Sequence, residues 1–193
     1  MPDLPDLQEI ARFIFELGQL RQEARHGWLR INESPESVAE HTQRAACLGY
    51  LLAHCEGFED PNLVATMILF HDMHEARTGD ADLVQKRYLQ VNEQSAAGEQ
   101  SDGLGAAGEM ILQMWREVDE RSTGAGVIAK DAEVLEMAFT ARELVVRGNA
   151  DAQKWIDASI ARMKTESGQK LLAIVNDSDP REWWKRIWGL DAT

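Results

Sequence analysis

Apolar residues recur at three- and four-residue spacing along nearly the whole chain, and no alternating run of β-branched residues is long enough to build a sheet. That periodicity restricts the fold to the all-α class. It predicts helices at roughly 5–22, 36–56, 60–77, 80–98, 104–121, 126–148, 150–164, 167–176 and 180–189. Several ends carry their own signals: Asp60-Pro61 offers a cap followed by proline at the first helical position, Gly79 follows Thr78 as a C-cap, and Gly148-Asn149 closes the longest helix. Residues 95–108, rich in Ala, Gly, Ser and Glu, read as a loose stretch. A length of 193 residues with 44% hydrophobic content suits one domain spanning 1–193, its C-terminal helices from about 150 packed on the core.

The formal charge of −13 argues against a nucleic-acid duplex as partner, because duplex binders neutralise phosphates with clustered Lys and Arg. A small anion remains a suitable ligand if a metal and one or two arginines make a local positive focus. The opening Met1-Pro2-Asp3-Leu4-Pro5-Asp6 is acidic and broken by prolines, unlike a signal peptide, and no run of about 18 apolar residues occurs. No membrane partner is expected, and a cytoplasmic location is. Cys47 and Cys55 lie too far apart along one helix to bridge within it, and read as reduced structural thiols.

The chemistry-bearing feature is His71-Asp72, at the end of the apolar run Leu63-Val64-Ala65-Thr66-Met67-Ile68-Leu69-Phe70. A helix so apolar is driven into the core, where adjacent polar side chains need a partner, and a divalent metal is the simplest one. The alternative is a hydrogen-bonded buried pair, or the wet end of the helix. On a continuous helix His71, Asp72 and Glu75 share a sector of roughly 100°, whereas His74 lies about 60° to the other side, exposed or one layer behind the site. His41 shares a stripe with Val38, Ala45 and Leu48, which buries it and supplies a second imidazole. A fourth ligand is expected from the long helix, where Asp131 and Glu133 are the candidates and the apolar arc centres nearer Asp131. Two imidazoles and two carboxylates suit one first-row divalent ion, Mn, Fe, Co, Ni or Zn.

His41, then His71-Asp72, then a distant carboxylate resembles the H…HD…D signature of the HD-domain metal-dependent phosphohydrolases. Gly27-Trp28, Pro35-Glu36-Ser37-Val38-Ala39-Glu40-His41, His71-Asp72-Met73-His74-Glu75-Ala76 and Thr78-Gly79-Asp80 are similar to the branch of the bacterial 5′-deoxynucleotidases and their archaeal and eukaryotic relatives, over approximately residues 8–150. The resemblance implies an all-α HD-domain helical bundle, a divalent metal, a homodimer, and hydrolysis of deoxyribonucleoside 5′-monophosphates to deoxynucleoside and phosphate. It implies that His41, His71 and Asp72 are metal ligands, Glu75 the catalytic glutamate, and Asp80 an aspartate acting at the substrate. Ungapped matching through Glu136-Met137 and Glu143 puts the last ligand at Glu133, where the family usually has Asp; Asp131 stays open as its substitute. Arg25 and Trp28 match the family's substrate arginine and tryptophan in type but not in spacing. Arg25 would hold the phosphate as a bidentate donor, and Trp28 would wall the sugar pocket unless it is an ordinary core aromatic.

The mechanism so implied has the metal lower a water's pKa and neutralise developing charge, Glu75 orient or deprotonate that water, and Asp80 contact the sugar or help protonate the leaving oxygen. Two other functions fit: an HD phosphohydrolase for another nucleotide (a ribonucleotide, triphosphate, cyclic nucleotide or alarmone), or a non-catalytic nucleotide-binding scaffold. His26 and His54 do not form a second metal cluster in the sequence pattern. Trp183-Trp184-Lys185-Arg186-Ile187-Trp188 reads as a helix packing its tryptophans on the body or a second subunit, and Met110, Met114 and Met137 read as core.

Overall fold

In the computed structural model, residue 4 and residues 6–189 are described; most of the acidic N-terminal segment, the start of the first predicted helix, and residues 190–193 lie outside them. The described residues form ten α-helices and no strand. The helices are α1 (Leu7–Leu17), α2 (Val38–Cys55), α3 (Pro61–His71), α4 (Glu75–Thr78), α5 (Glu93–Ser101), α6 (Gly105–Glu120), α7 (Gly124–Arg147), α8 (Gln153–Ile160), α9 (Glu166–Asp177) and α10 (Glu182–Ile187). The all-α expectation is met, and the cap signals work as anticipated. Asp60 accepts from the Leu63 amide at 3.1 Å, and Gly79 and Gly148 end their helices at positive φ, which costs glycine least.

The site depends on α2, α3 and α7 lying close together. α7 is the hub, touching α2, α3, α6, α8 and α9, while α2 packs along α3. Gly49 permits that approach: a Cβ there would stand 2.1 Å from Ile68 Cδ1, 3.3 Å from Val64 Cγ1 and 3.4 Å from Ala132 Cβ. Val64, Met67 and Ile68 of α3 are fully buried against Ala45 and Leu52 of α2 and Ala132 and Leu135 of α7. Burying a side chain such as Met67 or Ile68 contributes about 1.5–3 kcal/mol, so the ligand-bearing end of α3 is held by its own apolar run. α2 begins with a reciprocal cap in which Ser37 Oγ accepts from the Glu40 amide and Glu40 returns to the Ser37 amide.

Three expectations about the helices fail. The predicted helix over 60–77 breaks after His71: residues 72–74 turn so that Met73 enters a second apolar cluster with Phe13, Leu104 and Trp115, and Gln100 Nε2 donates to the Met73 carbonyl at 2.9 Å. The predicted helix over 80–98 is mostly an extended segment with one 3-10 turn at Gln85–Arg87, and residues 95–108 are largely helical, in α5 and the start of α6. Residues 150–164 divide into a 3-10 turn, Ala150–Ala152, and the shorter α8.

Side-chain placement corrects others. Met110 is exposed rather than core, as are Cys47 and Cys55, both free thiols. On α10, Trp183 and Trp188 face solvent and only Trp184 is half-buried, so the tryptophans are not packed together onto the body. Among the described residues no helix is long and apolar enough to cross a membrane.

Candidate metal centre and substrate cavity

α2 carries His41 and α3 ends at His71, so the packing that buries Val38, Ala45, Val64 and Ile68 also brings the two imidazoles together, 5.5 Å between ring centres and tilted by 50°. Asp72 follows as the residue ending α3. Its Oδ2 lies 3.0 Å from His71 Nε2 and 3.7 Å from His41 Nε2. These three atoms, together with Glu133 Oε2 and Glu75 Oε2, are buried without a hydrogen-bond partner. Orphaned polar atoms of that kind are rare in a folded interior, and here His41, His71 and Asp72 offer ligand atoms all within 4.8 Å of one another.

The other ring nitrogens settle the tautomers. His71 Nδ1 donates to the Ile68 carbonyl at 2.6 Å, and His41 Nδ1 donates to Glu136 Oε2. Each imidazole therefore turns Nε2 to the centre, the nitrogen that a metal would take on displacing its proton. The donor set, two neutral nitrogens and a carboxylate oxygen with Glu133 adjacent, fits a borderline divalent ion. Among the described residues this is the one group of three or more metal-competent side chains, so no second cluster arises at His26 or His54.

The two candidate carboxylates of α7 part company. Residues two apart on a helix point roughly 200° apart, and Asp131 and Glu133 do so. Asp131 Oδ2 accepts from the Lys164 amide (2.9 Å), the Thr165 amide (2.7 Å) and Thr165 Oγ1 (2.9 Å), while Oδ1 meets Arg121 at 3.3 Å. It ties α7 to the start of α9. Its burial is structural, which corrects the reading of Asp131 as a stand-in ligand. Glu133 faces the cavity with His71 and Asp72, and Lys130 Nζ stands 2.5 Å from its Oε2. Burial opposes its charge, but Lys130 and then His71 prevail and push its carboxyl down to about 2.

The centre opens into a cavity of about 480 Å³, large enough for a nucleotide-sized ligand. Arg25, Trp28, Glu75 and Asp80 all line it. A single antiparallel bridge, Ala24 to Ser37, fixes Arg25 beside the start of α2. Arg25 Nη1 then lies 3.6 Å from Asp72 Oδ2 and 3.5 Å from Asp80 Oδ1. Burial works against its charge, yet Asp72, Asp80, Glu75 and Glu133 hold it more firmly protonated than usual. Asp80 is set by the His26 amide, which donates to Oδ2 at 2.7 Å, and by its own amide donating to Glu23 Oε1 at 2.9 Å.

Glu75 reaches the cavity because the chain turns, not because it shares a continuous helix with His71. Burial, reinforced by Asp72 and Asp80, raises its carboxyl well above the usual glutamate range. For Asp72 burial pulls the other way from its neighbours, and His71, Arg25 and His41 keep it ionised. Trp28 is a core residue packed at 5.2 Å against Trp155 with the rings tilted 35°, and it also lines the cavity, with Nε1 donating to Glu36 at 3.0 Å.

Sequence reasoning gave no role to Glu136, Arg44 or Lys130. Glu136 lies one helical turn from Glu133 on the same face, a spacing that could have marked it as the partner of a ligand histidine. Its Oε1 accepts from Arg44 Nε at 2.7 Å, and Arg44 Nη1 donates in turn to Glu143 at 2.8 Å. His74, expected to be exposed or behind the site, is buried at the cavity wall against Trp115.

A helical bundle with this buried His-His-Asp centre defines the class, and the sequence pattern of the HD domain matches residues 17–175: the chain belongs to the HD domain family. Within it, the chain is 32% identical over 137 residues to the 5′-deoxynucleotidase HDDC2 of Dictyostelium discoideum, covering 65% of this chain and 72% of that one. The 5′-deoxynucleotidase HDDC2 of Danio rerio is 28% identical over 145 residues, 71% of this chain and 70% of its own. A conserved hypothetical protein from Pyrococcus furiosus superposes with a TM-score of 0.71 at 26% identity, covering 86% of this chain and 97% of the other.

Proposed function

We propose that the chain is a metal-dependent 5′-deoxynucleotidase that hydrolyses deoxyribonucleoside 5′-monophosphates to deoxynucleoside and phosphate. The observation that carries this reading is the set of buried ligand atoms without a hydrogen-bond partner, His41 Nε2, His71 Nε2 and Asp72 Oδ2, beside a cavity that also holds Glu133 and a buried arginine. The identity to two proteins named 5′-deoxynucleotidase supports the substrate class. In this reading His41, His71, Asp72 and Glu133 hold one divalent ion, of which Mn, Fe, Co, Ni and Zn all suit the donors.

When bound, such an ion supplies Lewis acidity at a phosphate oxygen and lowers the pKa of a water. Arg25 binds the phosphate: its contacts to Asp72 and Asp80 exceed 3.4 Å, leaving the guanidinium free to turn to a better acceptor. Glu75, whose proton affinity is raised by burial and by Asp72 and Asp80, takes the proton of the attacking water from its ionised form. Asp80, oriented by the His26 amide, meets the sugar or helps pass to the leaving 5′-oxygen the proton that Glu75 has taken from the water. Trp28, backed by Trp155, walls the sugar and disfavours a 2′-hydroxyl. We further propose that the whole chain is one HD domain and acts as a homodimer in the cytoplasm, a compartment that the two free thiols suit.

The test is phosphate release from matched deoxy- and ribonucleoside mono-, di- and triphosphates with Mn, Co, Fe, Ni, Zn and Mg, repeated with Asp72→Ala. Deoxymonophosphates should be preferred, and the variant should lose metal and activity together. Full activity of that variant in metal-free buffer refutes the scheme, and equal turnover of deoxy and ribo substrates refutes the role of Trp28.

A further inference from the structure

His74 lines the cavity yet gives no atom to the metal cluster. Its ring is locked by Trp115, edge to face at 5.6 Å, with Trp115 Nε1 at 3.1 Å from His74 Nδ1. An indole N–H can only donate, so Nδ1 is the acceptor and carries no proton. The neutral ring must then bear its hydrogen on Nε2. Nε2 makes no hydrogen bond among the described residues, since Glu93 Oε2, at 3.7 Å, is beyond bonding distance. The fold thus holds a pre-oriented, unsatisfied N–H donor at the cavity wall.

Resting on the nucleotidase reading for its substrate, we propose that His74 Nε2–H donates a hydrogen bond to an oxygen of the substrate's phosphate group. His74 stands between Asp72 and Glu75 in the chain, and all three line the same cavity. The surroundings explain why a neutral donor serves there. Lys86, on the same wall, is drawn to Glu93 at 3.4 Å, as any cation would be among Asp72, Glu75 and Glu93. A neutral imidazole is held less strongly by those carboxylates and stays available to an incoming acceptor. Arg25 supplies the charge for the phosphate, and His74 supplies direction.

Asparagine and glutamine separate contact from packing. His74→Asn keeps an acceptor near the Nδ1 position for Trp115 but removes the donor at Nε2, and His74→Gln reaches the Nε2 position with an amide N–H. Inorganic phosphate binding to the metal-loaded protein, read by calorimetry, should weaken about tenfold to a hundredfold in His74→Asn and largely recover in His74→Gln. Metal content and melting temperature should stay at wild-type values. The rise in KM should be the same for every base. Wild-type phosphate affinity in His74→Asn overturns the proposal, as does a loss that varies with the base or that glutamine fails to rescue. Phosphate binding is measured without turnover, so absent nucleotidase activity in the wild type would refute the enzyme reading while leaving the His74 contact tested.

Discussion

Replacing Glu136 with glutamine tests whether the carboxylate behind His41 sets the strength of the metal centre. Glu136 is 1% exposed, so solvent does not dilute its effect, and it serves three partners at once: Oε2 accepts from His41 Nδ1, and Oε1 accepts from Arg44 Nε and, at 3.3 Å, from Thr140 Oγ1. Burial raises its carboxyl, but His41 and Arg44 more than offset this and keep it ionised. A glutamine has one oxygen and one NH2. If the oxygen accepts from His41, the NH2 is set against the Arg44 guanidinium; if the oxygen turns to Arg44, His41 faces a second donor and loses its orientation.

Carboxylate partners of ligand histidines are typically worth tenfold to a hundredfold in metal affinity, about 1.4–2.7 kcal/mol, and the dry, doubly bonded setting here places Glu136→Gln toward the upper end. Arg44 keeps Glu143, so the fold should survive. The assay is the metal dissociation constant by chelator competition, with the melting temperature of the metal-free protein as control. Adding Arg44→Met should restore part of the affinity, because the amide oxygen can then turn to His41 without conflict. A metal affinity within about twofold of wild type in Glu136→Gln, with the fold intact, would refute the reasoning.

Asp131→Ala should destabilise the protein by about 3–5 kcal/mol, since it leaves Arg121 and the Lys164 and Thr165 amides without their buried acceptor, yet metal content should not change. Glu133→Gln should lose metal and also lower the denaturant midpoint, because it takes the ionised partner from buried Lys130; metal analysis after chelator dialysis and chemical denaturation together check both. For the metal-free protein, Glu75 binds its proton more tightly folded than unfolded, so stability falls as pH rises from the ordinary value near 4.5 through the raised folded value. Glu75→Gln should remove that slope, about 1.4 kcal/mol for each pH unit between the two values, and a pH series of denaturation midpoints parallel to wild type would contradict it.

The sequence makes some parts of this site legible because local rules decide them. His41 could be placed in the core from its own stripe, and the ends at Asp60, Gly79 and Gly148 from cap chemistry alone. Where tertiary packing decides, local rules fail. Nothing near Met73 signals that it will enter a cluster with Phe13 and Trp115 and so break the helix at Asp72. Asp131 and Glu133 could not be ranked by apolar periodicity, because α7 is buried on several sides and burial toward α9 looks the same as burial toward a metal. His74 was misplaced because its angle was reckoned on a helix that ends three residues earlier. Arg25 and Trp28 were found by residue type, but only the bridge between Ala24 and Ser37 explains why they face the centre.

The opposed faces of α7 have a mechanical consequence. Glu133 and Asp131, two residues apart on one rigid rod, meet the cavity on one side and the loop that starts α9 on the other. A rotation of that rod about its axis disturbs both attachments together. Free energy gained at either one therefore resists opening at the other, and by linkage the coupling is equal in both directions. The loop that starts α9 would thus act as a torsional brake on Glu133, the proposed fourth ligand.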